Sequence, residues 1–275
     1  SYDAFMTRNE IEKTLENAVE IGDWVGAEID ESFMAHLSEQ FLVPPERCKI
    51  VQAKRETVFD RAIFKDKKKR YAMHVLDKEG KTIPKGHKDE LKIVGLEVKR
   101  SDTPKIIQDF LQECLRLVLV EGYEEEELRK YVDEFREVFR KLPSWKRGSP
   151  VRLKKLQMSA EILKEYDQNS DGLDDKKPAI YYVVNASNNT NILMERFKET
   201  RWEPLKDGDK VDFLYLRPKN EYGMDSVAIR VGEDYIPEWF QNLPFDDQAH
   251  EVKLIDQKLD NFFGGPGMGI RPTRP

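Results

Sequence analysis

Apolar residues recur along this chain with two periods, and the switches between the periods mark its elements. Thr7-Arg-Asn-Glu10 has the form of a capping box, with Ile11, Leu15 and Val19 behind it at helical spacing, so a helix is predicted to begin there. Gly22-Asp23 interrupts the pattern. Val25, Ile29, Phe33, Leu37 and Phe41 resume at intervals of four, which predicts a second helix or a kinked continuation, and Pro44-Pro45 stops it. Residues 49–63 hold Ile50, Val51, Val58, Phe59 and Ile63 around a charged centre and read as one or two short strands. Tyr71, Met73 and Val75 then alternate with period two, Asp77-Lys-Glu-Gly80 supplies turn chemistry, and Leu91, Ile93, Gly95 and Glu97 read as the returning strand of a hairpin.

Pro104 belongs at a first helical position, where its missing N–H would have been unpaired anyway, and this makes Thr103 the expected N-cap. Ile106, Ile107, Phe110, Leu111, Cys114, Leu115, Val118 and Leu119 form a broad apolar stripe that Gly122 ends. A second helix is predicted from Glu124 to Lys141, and a third after Pro150 carrying Leu153, Leu156, Ile162 and Leu163. Strands follow at 179–184, 211–217 and 226–231, with a short helical stretch at 191–200. An amphipathic segment from Asp246 to Lys258 leads into Leu259-Asp-Asn-Phe-Phe263 and a Gly/Pro tail. The fold class is α+β: a small antiparallel sheet or hairpin, then a mainly helical part with a small β-sheet tip.

With 275 residues, 39% hydrophobic and 36% charged, the chain has a soluble globular composition and can bury one large core or two modest ones. No apolar run approaches the length of a membrane span and no signal peptide opens the chain, so an intracellular protein is expected. Cys48 and Cys114 are too few and too far apart for a zinc cluster or a disulfide framework and read as reduced core thiols. His36, His74, His87 and His250 are scattered, and Asp167-Gln-Asn-Ser-Asp-Gly172 begins like a calcium loop but has Pro178 where the bidentate glutamate belongs. No metal site is assigned.

Charge changes the picture more than composition does. The net charge is −6, yet residues 47–105 hold 18 Lys and Arg against 9 Asp and Glu, a net of +9 that leaves −15 for the rest. A basic surface on an acidic body suits a protein that holds a polyanion in one orientation. Lys67, Lys68, Lys69 and Arg70 stand in a row before Tyr71, at the entrance to a strand. Lys99, Arg100, Ser101 and Thr103 lead into Pro104 and Lys105, where hydroxyls, free N–H groups and a helix dipole form a phosphate-shaped environment. A lysine run in a chain this charged is equally what a solvated face looks like.

Lys-Lys-Arg-Tyr before an alternating strand, Lys-Ile-Val-Gly-Leu-Glu, and Arg-Ser-Asp-Thr-Pro-Lys-Ile-Ile-Gln occur in an order and spacing that resemble the palm-to-thumb passage of family B DNA polymerases, closest to those of T-even-like tailed phages. The resemblance implies a division into the end of the palm with the basic hairpin (1–103), the thumb (104–255) and a clamp-binding tail (256–275). It implies DNA contacts at Lys54, Lys68, Lys69, Arg70, Tyr71, Lys99, Arg100, Ser101, Thr103 and Lys105, with Lys69 reaching the minor groove of the primer end and Tyr71 packing on the primer backbone. Glu56 matches an acidic position close to the metal-binding aspartates. Leu259, Phe262 and Phe263, at i, i+3 and i+4, would form a three-pronged plug for a sliding clamp.

The two aspartate motifs of the family, Asp-x-x-Ser-Leu-Tyr-Pro-Ser and Tyr-x-Asp-Thr-Asp-Ser, are absent, as is the exonuclease Asp-x-Glu module. Two-metal phosphoryl transfer needs those carboxylates, so the resemblance implies no catalytic residue, metal or cofactor on this chain, with Mg2+ on a missing N-terminal polymerase and exonuclease part, either a separate polypeptide of a split enzyme or the rest of a polymerase of which this is a fragment. Its partners would be primer-template DNA, that polypeptide and the clamp, without a membrane, in the cytoplasm of an infected bacterial host. The alternative is a stand-alone DNA-binding or clamp-binding accessory protein.

Overall fold

The computed structural model describes residues 2–65, 68–154, 156 and 179–264, and the protein is α+β as expected. The chain divides into two compact units, one of residues 1–96 with 115–122, the other of residues 97–114 with 123–275.

The first unit is built on a four-stranded antiparallel sheet of β1 (Thr57–Phe64), β2 (Tyr71–Lys78), β3 (Lys81–Thr82) and β4 (Leu91–Val94). β2 is the central strand, pairing with β1 on one side and with β3 and β4 on the other. Its Ala72, Met73, Val75 and Asp77 are buried, and β1 and β2 pack against the π-helical turn 117–121. Two readings are corrected at the returning strand. It ends at Val94, because Gly95 takes a left-handed φ of 63°, and Glu97 falls in a 3₁₀ turn, Glu97–Lys99.

Three helices precede the sheet: α1 (Tyr2–Arg8), α2 (Leu15–Phe41) and α3 (Pro45–Cys48). Thr7 lies inside α1, its hydroxyl bonded back to the Asp3 carbonyl at 2.9 Å, and the cap that opens α2 is Thr14, whose hydroxyl accepts from the Asn17 N–H at 3.2 Å. Gly22-Asp23 does not interrupt α2. A Cβ on Gly22 would overlap the Arg55 side chain, so the glycine is where the helix admits an arginine rather than where it breaks. Arg55, with its side chain 6% exposed, pairs with Asp23 of α2 and with buried Asp77 of β2. Apart from Gly22, no residue of the 27 in α2 is buried; Trp24, Ile29, Phe33 and Phe41 are exposed, as are Leu42, Ile50 and Val51 after it.

In the second unit α4 (Lys105–Arg116, of which 105–114 belong here) lies against α5 (Glu125–Arg140), with Phe110 stacked on Phe135 at a ring separation of 3.9 Å. α5 opens with a reciprocal capping box of Glu124 and Glu127. Cys114 is buried and free, as is Cys48 in the first unit, and burial pushes the Cys114 thiol far up.

An antiparallel sheet of β5 (Ser149–Arg152), β6 (Lys210–Tyr215) and β7 (Ser226–Arg230) carries a core on each face. Leu214, Val227 and Ile229 face one core; Val211, Phe213 and Ala228 face the other. Pro150 therefore sits in an edge strand, where proline is tolerated, and does not open a helix; Leu153 follows outside any helix. Ile162, Leu163 and the calcium-like stretch 167–172 lie outside the described residues.

The largest correction is at 179–184, which is not a strand but the start of α6 (Ala179–Phe197). Tyr-Tyr-Val-Val has strand propensity, but Val183, Val184 and Ala186 continue through Thr190 to Leu193 and Met194 with helical spacing, feeding both cores from the β7 edge. Tertiary packing outweighs propensity of that size. Thr190 bonds the Ala228 carbonyl at 2.7 Å and its N–H at 2.9 Å, and Asn189 bonds the Ser226 carbonyl at 2.9 Å.

α7 (Glu238–Gln241), α8 (Asp247–Glu251), a π turn and α9 (Gln257–Phe263) close the unit. Arg136 of α5 pairs with Glu251 at 2.8 Å and with Asp256. His250 of α8 is buried; its Nε2 accepts from the Tyr215 N–H at 2.7 Å, so the ring is neutral, and burial lowers its pKa to about 4.

Candidate nucleic-acid interface

The basic residues 65–70 form the connection between β1 and β2, closed by the Lys65 N–H on the Arg70 carbonyl at 3.0 Å; Lys67 lies outside the described residues. Lys69 holds a left-handed φ of 60°, a conformation costly for a residue with a Cβ. Gly95 approaches its carbonyl closely. A Cβ at position 95 would overlap the Lys69 carbonyl oxygen, so only glycine lets the end of β4 close against the turn. Lys68 and Lys69 are exposed on it, and Arg70 and Tyr71 are half-buried at its root. Beside them Phe64 is 63% exposed, its ring 5.9 Å from that of Tyr71. Exposed cations on a turn next to an exposed aromatic ring can accept phosphate and sugar without reading sequence.

The second basic segment lies in the other unit. Lys99 and Ser101 are exposed. Arg100 is not free: it donates to Asp102 from Nε at 3.0 Å and from Nη2 at 2.6 Å, which raises the arginine's pKa and lowers that of the carboxylate. Lys105 pairs one turn along with Asp109 at 2.6 Å. Thr103 departs from expectation on both counts. It is buried with its hydroxyl unbonded, and the Pro104 carbonyl accepts the first helical bonds, from the Ile107 and Gln108 N–H groups at 3.0 and 2.9 Å. Its hydroxyl neither caps α4 nor faces outward to a phosphate.

Lys54 is exposed. Glu56 is exposed too, and its hydrogen bond to Lys92 of β4 holds the carboxylate below its usual range. The acid that the fold does bury nearby is Asp77, held by Arg55, a pair that an arginine inside Lys54-Arg55-Glu56 did not announce. Among the described residues no group of three or more His, Cys, Asp or Glu could hold a metal ion. These residues do not fit a Mg2+ site. No helix among the described residues is long and apolar enough to cross a membrane.

The tail differs most from expectation. Leu259, Phe262 and Phe263 are 2%, 2% and 3% exposed, so all three prongs are buried. α9 instead turns polar residues to the 3₁₀ segment before Arg100. Lys258 pairs with Glu97, and Asn261 donates to the same carboxylate at 3.1 Å. The sequence signal for this was present: Lys258 and Asn261, three apart, flank the apolar positions on one helical turn.

The comparisons with known proteins follow the same chain. The DNA-directed DNA polymerase of Enterobacteria phage T4 is 42% identical over 165 residues, 58% of this chain and 16% of that polymerase. The DNA-directed DNA polymerase of Escherichia phage RB69 is 49% identical over 55 residues, 20% of this chain and 6% of that polymerase. The aligned part of the chain thus spans no more than 16% of the length of these curated relatives. The family model described as DNA polymerase family B matches residues 26–258, a stretch that begins within α2, takes in both basic segments and reaches α9, and the chain therefore belongs to DNA polymerase family B.

Proposed function

We propose that this chain is the part of a replicative, phage-type DNA-directed DNA polymerase that grips the primer-template duplex, with the end of the palm before residue 104 and the thumb after it. Nucleotidyl transfer belongs to aspartates outside these residues, where Mg2+ is held. The observation that carries the reading is the β1–β2 turn: exposed Lys68 and Lys69, with Arg70 and Tyr71 behind them, fixed by the Lys69–Gly95 approach in a chain of this family. Phosphate contacts made by such a turn neutralise charge, so affinity should fall with salt by a slope of about −0.9 per phosphate in log affinity against log salt. Lys69→Ala should weaken binding to primer-template DNA of any sequence and flatten that slope by about one such step. Unchanged affinity and slope in an anisotropy titration would remove the turn from the interface.

Completion by a second polypeptide, the one bearing the aspartate motifs, has support of its own. A 27-residue helix with one buried residue leaves Ile29, Phe33 and Phe41 exposed among the described residues. Its seven acidic residues and lack of Lys or Arg suit a partner surface that is apolar with a basic rim. Phe33→Asp should abolish co-elution with the aspartate-bearing polypeptide while leaving the chain's own fold intact; co-elution at wild-type strength favours the stand-alone accessory reading. Tethering to a sliding clamp through Leu259, Phe262 and Phe263 requires α9 to leave its seat, and their burial supports a structural role for the tail instead.

A further inference from the structure

Asp102 is the one group in the basic segment that a DNA grip does not ask for. It takes two parallel hydrogen bonds from Arg100, at 3.0 and 2.6 Å, the arrangement a guanidinium makes with a phosphate. The arginine that a DNA backbone would use already carries an anion. The two side chains are 50% and 44% exposed, so a phosphate can reach the pair and compete for it.

The same carboxylate has a second cation within electrostatic reach, Lys258 of α9, which favours the ionised Asp102 while pairing with Glu97. Asn261 steadies Glu97 from the same helix at 3.1 Å. The backbone carrying Arg100 is fixed as well: the Arg100 N–H donates to the Glu97 carbonyl at 3.0 Å, and the Gln108 side chain donates to the Arg100 carbonyl at 2.8 Å. Glu97, Arg100 and Asp102 thus belong to the 3₁₀ turn and the loop after it, and Lys258, which pairs with Glu97, belongs to α9.

We propose that Asp102 occupies on Arg100 the place a DNA phosphate takes, and that Lys258 is the counter-ion to which Asp102 falls back when a phosphate displaces it. α9 thereby sets the affinity of this segment for DNA. Such a clip weakens the grip on any single stray phosphate and yields only when neighbouring contacts hold the backbone in place. The proposal rests on the DNA-gripping reading above.

The test uses the whole chain and a labelled primer-template duplex in low salt, with thermal unfolding of every variant as the control for folding. Asp102→Asn should tighten binding about two- to fivefold, the range an exposed ion pair imposes on a competing ligand. Combining it with Arg100→Ala should abolish that gain, because the aspartate acts through the arginine. Lys258→Met should weaken binding about twofold in the wild-type background and leave Asp102→Asn chains unaffected. No gain from Asp102→Asn, an equal gain without Arg100, or an equal loss from Lys258→Met in both backgrounds would each overturn the clip. A wild-type chain that shows no salt-dependent binding would overturn the DNA-gripping reading instead.

Discussion

Helices α2 and α9 invert what their sequences suggest. Both are amphipathic and both carry aromatics, yet α2 leaves Trp24, Phe33 and Phe41 in solvent while seven-residue α9 buries Phe262 and Phe263. The pattern of apolar positions records that a face will be covered, not what covers it. The residues of α9 are sunk, and Arg136 ties the turn before it through Glu251 and Asp256. Those of α2 are covered only partly: Val19, Val25, Met34 and Leu37 are half-buried, while Arg55 passes at Gly22 to reach Asp23 and Asp77 and the Ala53 N–H bonds Asp30.

That contrast breaks most readily under aromatic truncation. Phe262→Ala should cost about 3–5 kcal/mol in urea unfolding of the chain alone, as expected for emptying a packed site. Phe33→Ala should change it by about 0.5 kcal/mol or less, since the ring is already hydrated. Equal costs would mean that α2 is covered in solution. Next in size, Arg55→Ala should cost about 3 kcal/mol by leaving Asp77 charged, buried and unpaired. Arg55→Met combined with Asp77→Leu should recover most of that loss, which would identify the charge rather than the contact area as what is lost.

The smallest effect concerns acid. His250, with its pKa lowered to about 4 by burial, is protonated first in the unfolded chain, so its contribution to stability is full above about pH 6.5 and is lost as pH falls toward 4. Asp212 on β6 has the opposite sign. Burial raises it to about 6, so its contribution is full below about pH 3.8 and is lost as pH rises through 6. The two offset each other between pH 4 and 6. Asp212→Asn should therefore expose a loss of up to about 1.4 kcal/mol per pH unit on acidification relative to wild type, measured by urea unfolding across that window. Parallel curves for the two chains would show that Asp212 does not titrate there.

Much of the fold was legible where local chemistry and packing agree. Gly122 in its left-handed cap, the helix that follows Glu124, the alternation of β2, and the strands β6 and β7 all lie where the pattern puts them. The failures share one cause. Gly22, Tyr181 to Val184 and Pro150 each carry a local preference that a distant partner overrides: an arginine 33 residues away, a sheet edge, and the outer position of a strand. At the candidate site the basic residues were legible as a charge pattern, but their engagement was not. Arg100 with Asp102 and Lys105 with Asp109 are local pairs that periodicity does not report, and the Lys69–Gly95 approach depends on two left-handed residues meeting across the sheet.

The hydroxyl of Thr190 has a consequence beyond packing. By satisfying both the N–H and the carbonyl of Ala228, with Asn189 on Ser226, α6 occupies the outward hydrogen-bonding positions of β7. An exposed strand edge is a template on which another extended chain can add. These two side chains deny assembly at this edge, and Thr190→Val, nearly the same in shape, would leave the Ala228 N–H and carbonyl without the hydroxyl that satisfies both.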